Sequence, residues 1–300
     1  MPGAPTRRLP GRWPRPERGR AARGDGAAVA DRVLEAVQAG VRIVDLGRQL
    51  FAGMPQSPNH PQFMHVLPRR HGDSYRPDGD SAANDLLVTG THVGTHIDAF
   101  AHVSHQGALH GGAPVAEVMD HGRFLQHGVH TIAPMVRRGV LLDVAACLGV
   151  DRCAAAYEIT AADLDATVAR QGTDVRAGDV VLIRSGWGAL FDEGTAAYLG
   201  KESGVPGVGA QGARWLVDHG VHAAGADTIA FERLAPGSGH ANLPAHRLLL
   251  VDGGVYIVET LNLEELSLLG AYEFTFVLVP LNILGATGSP VRPLAVLADG

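Results

Sequence analysis

The chain is short of cysteine, with only Cys147 and Cys153 among 300 residues. Two thiols make no disulfide framework, so a reducing, cytoplasmic setting is expected. They stand six positions apart with no third cysteine, which argues against a thiolate metal site. No apolar run approaches the ~20 residues of a membrane span, so no membrane partner is expected. The Arg-rich opening stretch has no apolar core of the signal-peptide kind, so no secretory signal is expected there. A Gly-x-Ser-x-Gly elbow is also missing, because Arg184-Ser185-Gly186 lacks the leading glycine, and serine-hydrolase chemistry is disfavoured. The glycines of residues 204–209 surround a proline and follow no convincing strand, which disfavours a dinucleotide site.

What is present fits a turn-rich globular protein: 46% hydrophobic residues, 39 glycines and 18 prolines. Length alone admits one large domain or two. Residues 1–24 carry seven arginines against one glutamate. Taking that +6 from the formal −6 leaves −12 on the remainder, an acidic body that disfavours nucleic acid. Residues 1–26 therefore read as a disordered basic tail, and residues 27–300 as one domain.

Helices are expected over 27–39, 160–169 and 211–219, the second opened by a Thr-x-x-Asp cap at Thr160. Strands are expected over 41–47, 139–145, 180–184, 223–227, 246–250, 255–258 and 274–278. Residues 51–68, dense in proline and aromatic groups, read as an ordered loop. Alternation of the two element types without a break points to one α/β domain with a mixed sheet and flanking helices.

The stretch with most chemistry is His92-Val93-Gly94-Thr95-His96-Ile97-Asp98, followed by His102. Imidazole and carboxylate together suit Zn²⁺ or Mn²⁺, and a bound metal lowers the pKa of its water to about 7. On a helix, Asp98 would sit roughly 200° around the axis from His96. In an extended segment, His92, His96, Asp98 and His102 share one face. Residues 87–98 are therefore predicted as a strand running into a loop. The His-Glu-x-x-His arrangement is excluded, since no glutamate follows His92. One histidine among 15 would be unremarkable surface chemistry, but three donors on one face are a metal site.

Two further candidates lie towards the other end of the chain. His246 opens an apolar run, and Glu259 closes Val255-Tyr256-Ile257-Val258. The turn Asp252-Gly253-Gly254 allows a hairpin or tight bend that brings the two together. Glu259 either binds metal or emerges into solvent and caps the next segment. Phe51, Phe63, Phe100 and Trp187 are candidates to shape a substrate pocket, and His60, His65, His105 and His110 to add polar contacts. Asp227 and Glu232 read as residues that orient backbone or ligands.

These residues resemble the cyclase family of metal-dependent hydrolases, which includes kynurenine formamidases and isatin hydrolases. The family pattern His-x-Gly-Thr-His-x-Asp-x-Pro-x-His matches His92, Gly94, Thr95, His96, Asp98 and His102, departing at Phe100 where proline is usual. Weaker echoes run across residues 41–285, among them Arg184-Ser185-Gly186-Trp187 and Gly225-Ala226-Asp227-Thr228. The resemblance implies a swivelling β/β/α fold, a homodimer or higher homo-oligomer, and one or two ions of Zn²⁺ or Mn²⁺. It implies that His92, His96 and Asp98 hold the first ion, that Asp98 bridges to a second held with His246 and Glu259, and that His102 is the general acid/base. The interval from His246 to Glu259 is one residue longer than in the family pattern. The expected reaction is hydrolysis of a small amide, an aryl formamide or a cyclic amide, by metal-activated water. Lactone or ester hydrolysis, cyclisation, and metal binding without catalysis are the alternatives.

Overall fold

Four apolar runs form the middle of the protein because each is buried on both sides. The computed structural model describes residues 34–298, so the proposed 1–26 tail lies outside the described residues. Residues 34–39 are helical, and the main compact unit runs over Arg42–Leu297. One sheet contains nine strands: β1 (Val41–Asp45), β2 (His96–Asp98), β3 (Met135–Asp143), β4 (Val180–Arg184), β5 (Ala223–Ala226), β6 (Tyr256–Glu259), β7 (Glu273–Leu278), β8 (Gly288–Pro290) and β9 (Leu294–Ala298). Their order is β1-β9-β7-β3-β4-β5-β6-β2-β8.

β3, β4, β5 and β6 are mutually parallel, and β7 and β2 close the group antiparallel on either side. Parallel strands covered on both faces read as continuous apolar sequence. β4 shows this: Val181 and Ile183 enter one buried cluster, while Val180 and Leu182 enter the other. The first cluster is roofed by α1 (Ala161–Gln171) and α2 (Ala210–Asp218), which contribute Leu164, Ala213, Trp215 and Leu216. The Thr160 cap is present as a full capping box with Asp163. The mixed α/β architecture expected from the sequence is the one found. No helix among the described residues is long and apolar enough to cross a membrane.

Five local expectations are corrected. Residues 246–250 are helical, in Pro244–His246 and the π-helix Arg247–Gly253 directly after it. Pro244 at the first turn and a carboxylate cap from Glu232 start a helix there, and the leucines are apolar because Leu249 and Leu250 face the core. Asp252-Gly253-Gly254 is thus a helix end, with Gly254 left-handed at φ +65°, and no hairpin turn. The segment 87–98 is broken: Asn84–Val88 pairs with Met64–Arg69 in a separate hairpin, and β2 begins only at His96. The same hairpin ends the expected 51–68 loop early. β3 stops at Asp143, whose carboxylate caps the helix Val144–Leu148.

Candidate metal centre

Strand register brings the first donors together. In the β6/β2 pair Glu259 lies opposite His96, and Ile257 opposite Asp98. Residues directly opposite or two apart share a face, so His96, Asp98 and Glu259 converge at the carboxyl end of β6. Ligands of α/β sheets gather outside the carboxyl ends of parallel strands. His92 joins from the turn before β2. That turn depends on Gly94 at φ +65°, where an added Cβ would lie 2.3 Å from Leu50. Thr95 braces it, donating through Oγ1 to the Thr260 carbonyl at 2.7 Å and accepting the Arg48 amide at 2.8 Å.

Each imidazole is aimed by its second nitrogen. His96 Nδ1 donates to the Gly94 carbonyl at 2.8 Å, so its Nε2 is turned towards Asp98 Oδ1 at 3.6 Å and Glu259 Oε2 at 3.5 Å. His246 Nδ1 lies 2.6 Å from Glu232 Oε1, and its Nε2 lies 3.1 Å from Glu259 Oε1 and 3.8 Å from Asp98 Oδ2. Nitrogens fixed from behind by a carbonyl or carboxylate are the usual arrangement around a metal. His92 Nδ1 lies 2.6 Å from Asp98 Oδ1, and its Nε2 meets Thr287 Oγ1 at 2.9 Å. The His102 ring stacks on His92 with centroids 3.9 Å apart.

The electrostatics fit a cation. Asp98 is 1% exposed and Glu259 5%, yet Asp98 Oδ2 has no hydrogen-bond partner. A buried carboxylate oxygen without a donor is costly unless a positive ion faces it. Burial pushes His96 down to about 4 despite the pull of Asp98. Its neutral Nε2 therefore points a lone pair at two carboxylates, an arrangement that a metal ion converts from repulsive to attractive. Burial, with the Asp98 charge added, pushes Glu259 up to about 7. Burial also works on Asp98, but the charges of His102 and His92 hold that carboxyl well below the usual range. For His246 burial acts downward, and the bonds to Glu232 and Glu259 overcome it, raising the ring to about 10. Donor atoms of His92, His96 and Asp98 lie within 4.8 Å of one another, as do those of Asp98, His102 and His246. Asp98 belongs to both groups.

The aromatic candidates sit in different surroundings. Phe51 is 46% exposed. Phe63 and Trp187 are buried with Met54 and Val93, in a cluster beneath the ligand turn. The Phe100 ring stacks on Tyr256 at 4.1 Å and packs beside His110. Among the polar candidates, His60 stacks on His92 with centroids 5.5 Å apart. His65 is paired with Asp85 in the hairpin, and His110 Nδ1 lies 3.0 Å from the Val251 carbonyl. Asp227 is fully buried and accepts from Ser185, Gly186 and Gly188, fixing the turn after β4.

Thr287 and Gly288 were not singled out in the sequence. A Cβ at Gly288 would lie 2.5 Å from His92 Cε1, so glycine there makes room for the ring. A glycine between Thr and Ser beside an apolar loop was the available signal, too weak to read without knowing that β8 pairs with β2.

Comparison with known proteins agrees with this geometry. The Cyclase family profile matches residues 44–233. The isatin hydrolase of Roseibium aggregatum is 26% identical over 263 residues, covering 86% of this chain and 92% of the relative. The crystal structure of a novel cyclase is 27% identical, superposes with a TM-score of 0.77, and spans 88% of this chain and 92% of its own. Isatin hydrolase A of Ralstonia solanacearum is 26% identical with a TM-score of 0.66, over 90% and 97% of the two chains.

Proposed function

This chain belongs to the Cyclase family, and from that premise we propose that it is a metal-dependent hydrolase of a small amide, either an aryl formamide or a cyclic amide. The observation that carries the reading is the central position of the buried Asp98 among three histidines, 2.6 Å from His92 and flanked by His96 and His246 at 3.6 and 3.8 Å. Isatin is itself a cyclic amide, so the similarity to isatin hydrolases supports the amide class.

His92, His96, Asp98, His246 and Glu259 are the residues that would hold one or two ions of Zn²⁺ or Mn²⁺, and mixed nitrogen and oxygen donors suit either. When bound, such an ion polarises the substrate carbonyl and makes water acidic enough to attack near neutral pH. The chain itself supplies the proton carrier. His102 has no ring hydrogen bond to protein among the described residues, and its stacking on His92 fixes its plane. Burial pushes it down to about 3, so the ring is neutral at physiological pH and, as so weak a base, holds a proton only transiently. It then returns that proton to the leaving nitrogen, a role worth roughly 10²–10⁴ in rate. The proposed setting is a reducing cytoplasm, supported by two unpaired cysteines.

A panel of formanilides, lactams and lactones, run on the metal-loaded protein, tests the proposal. Turnover of a formanilide or lactam, lost on chelation and restored by Zn²⁺ or Mn²⁺, is expected. Turnover confined to lactones would move the enzyme to ester chemistry, and no turnover at all would end the hydrolase reading.

A further inference from the structure

Three imidazoles face Asp98, and one of them is backed differently from the other two. His96 Nδ1 lies 2.8 Å from the Gly94 carbonyl, and His246 Nδ1 lies 2.6 Å from the Glu232 carboxylate. A carbonyl or carboxylate oxygen only accepts, so both rings keep a proton on Nδ1 and turn Nε2 to the centre. His92 is turned the other way. Its Nδ1 lies 2.6 Å from Asp98 Oδ1, and its Nε2 lies 2.9 Å from the Thr287 hydroxyl. Stacking between His60, at 5.5 Å, and His102, at 3.9 Å, fixes the plane of the ring. It does not fix which edge faces Asp98, because the terminal torsion of histidine is roughly twofold. Only hydrogen bonds choose between the two orientations.

We propose that Thr287 is the positioning residue of His92: its hydroxyl accepts from Nε2–H and so holds Nδ1 as the nitrogen that binds metal. The inference rests on the reading of His92 as a metal ligand. Metal binding through Nδ1 would cost the ring its hydrogen bond to Asp98, and Thr287 is its other hydrogen-bond partner among the described residues. The hydroxyl is well anchored for this task. The Thr287 carbonyl accepts the Ala99 amide at 2.9 Å, and Gly288, next in the chain, pairs with Asp98 across β8 and β2. Gly288 also lets the ring lie against the strand, since a Cβ there would be 2.9 Å from His92 Nδ1. Thr287 Oγ1 makes no other hydrogen bond among the described residues. A hydroxyl, unlike a carbonyl, suits both states of the centre. It donates to Nε2 while Asp98 holds Nδ1–H, and it accepts from Nε2–H once Nδ1 is given to an ion.

Zn²⁺ affinity, measured by competition with a chelating dye on the full-length protein and two variants, tests this. Thr287→Val keeps the shape and removes the hydroxyl, and is expected to bind Zn²⁺ about 10- to 100-fold more weakly. Thr287→Ser loses the methyl, keeps the hydroxyl and is expected to bind as the wild type does. A role in packing alone would reverse that order, since serine is the larger change of shape. Should Thr287→Val fail to fold, nitrogen-15 NMR of the Zn²⁺-loaded wild type, labelled at histidine, decides: His92 is expected to carry its proton on Nε2 with Nδ1 ligated. A proton on Nδ1, a Thr287→Val variant with wild-type affinity, or a Thr287→Ser variant as weak as Thr287→Val overturns the proposal. A wild type that binds no Zn²⁺ overturns it together with the metal centre. The readout is metal affinity and not turnover, so failure on the substrate panel ends the hydrolase reading without touching this one.

Discussion

Glu232 grips His246 twice, with Oε1 2.6 Å from the ring Nδ1 and 3.0 Å from the amide of the same residue, while Oε2 takes the Ala245 amide at 3.0 Å. One buried carboxylate thus starts a helix and sets the ring that faces Asp98 and Glu259. Glu232→Gln keeps one oxygen, sets its NH₂ against a donor that the second oxygen had accepted from, and loses the charge behind the imidazole. Metal affinity is expected to fall about 10- to 100-fold, measured by competition with a chelating dye, with a lowered thermal midpoint.

His96 and His102 separate binding from turnover. His96→Ala removes a nitrogen directed at two carboxylates, so both bound metal and activity are expected to vanish. His102→Ala should retain the metal and lose roughly 10²–10⁴ in kcat. Elemental analysis and steady-state kinetics on the same preparations check both. A His102→Ala variant near full rate would remove its role as proton carrier.

Gly288→Ala is expected to disturb the site without unfolding the protein. The new methyl would lie 2.5 Å from His92 Cε1 and 2.9 Å from the Ile97 carbonyl, so the ring must move. A shift near 1 Å in a catalytic group costs about 10²-fold in rate. Kinetics together with an unchanged circular dichroism spectrum test this.

Stability of the metal-free protein should fall as the pH drops from about 6 towards 4.5. Burial holds folded His96 near about 4 and His102 near about 3. On unfolding, each regains its ordinary value near 6.5 and takes up a proton. Glu259, at about 7 folded and 4.5 unfolded, releases one proton in the same window. His246, raised to about 10 when folded, is also largely protonated in the unfolded chain below about pH 6 and contributes little there. The unfolded chain gains one proton net, so stability declines by about 1 kcal/mol per pH unit. Urea midpoints in chelator at pH 6 and 5 measure it, and a higher midpoint at pH 5 would contradict the account.

Cys153 should resist alkylation in the native protein. Burial, aided by the Asp227 charge, pushes its thiol up to about 12, and the thiolate is the reactive form. With iodoacetamide at pH 8, mass spectrometry is expected to find Cys153 modified only after denaturation.

Much of the site could be read from the chain because its donors are close in sequence. His92, His96, Asp98 and His102 fall within eleven residues, and no fold is needed to see three metal-binding side chains so near together. The central strands were equally legible: β4 up to Arg184, and all of β5, are apolar because both faces are covered. The run after His246 misled because a leucine-rich stretch is apolar in a strand or in a buried helix alike. Periodicity does not separate the two over so few residues. What decided it was the carboxylate of Glu232, fourteen residues earlier, reaching the helix start.

The sequence by itself determined the family, the mixed α/β class and the identity of the ligand types, since these rest on local spacing and on which residues avoid water. Only the tertiary structure decided that Glu259 faces His96, that Thr287 and Gly288 hold the far side of His92, and that Phe100 turns to Tyr256. Those are facts of strand register and of backbone approach between distant segments. A pairing shifted by one residue would send each of these side chains to the other face, and nothing in a linear pattern fixes that pairing.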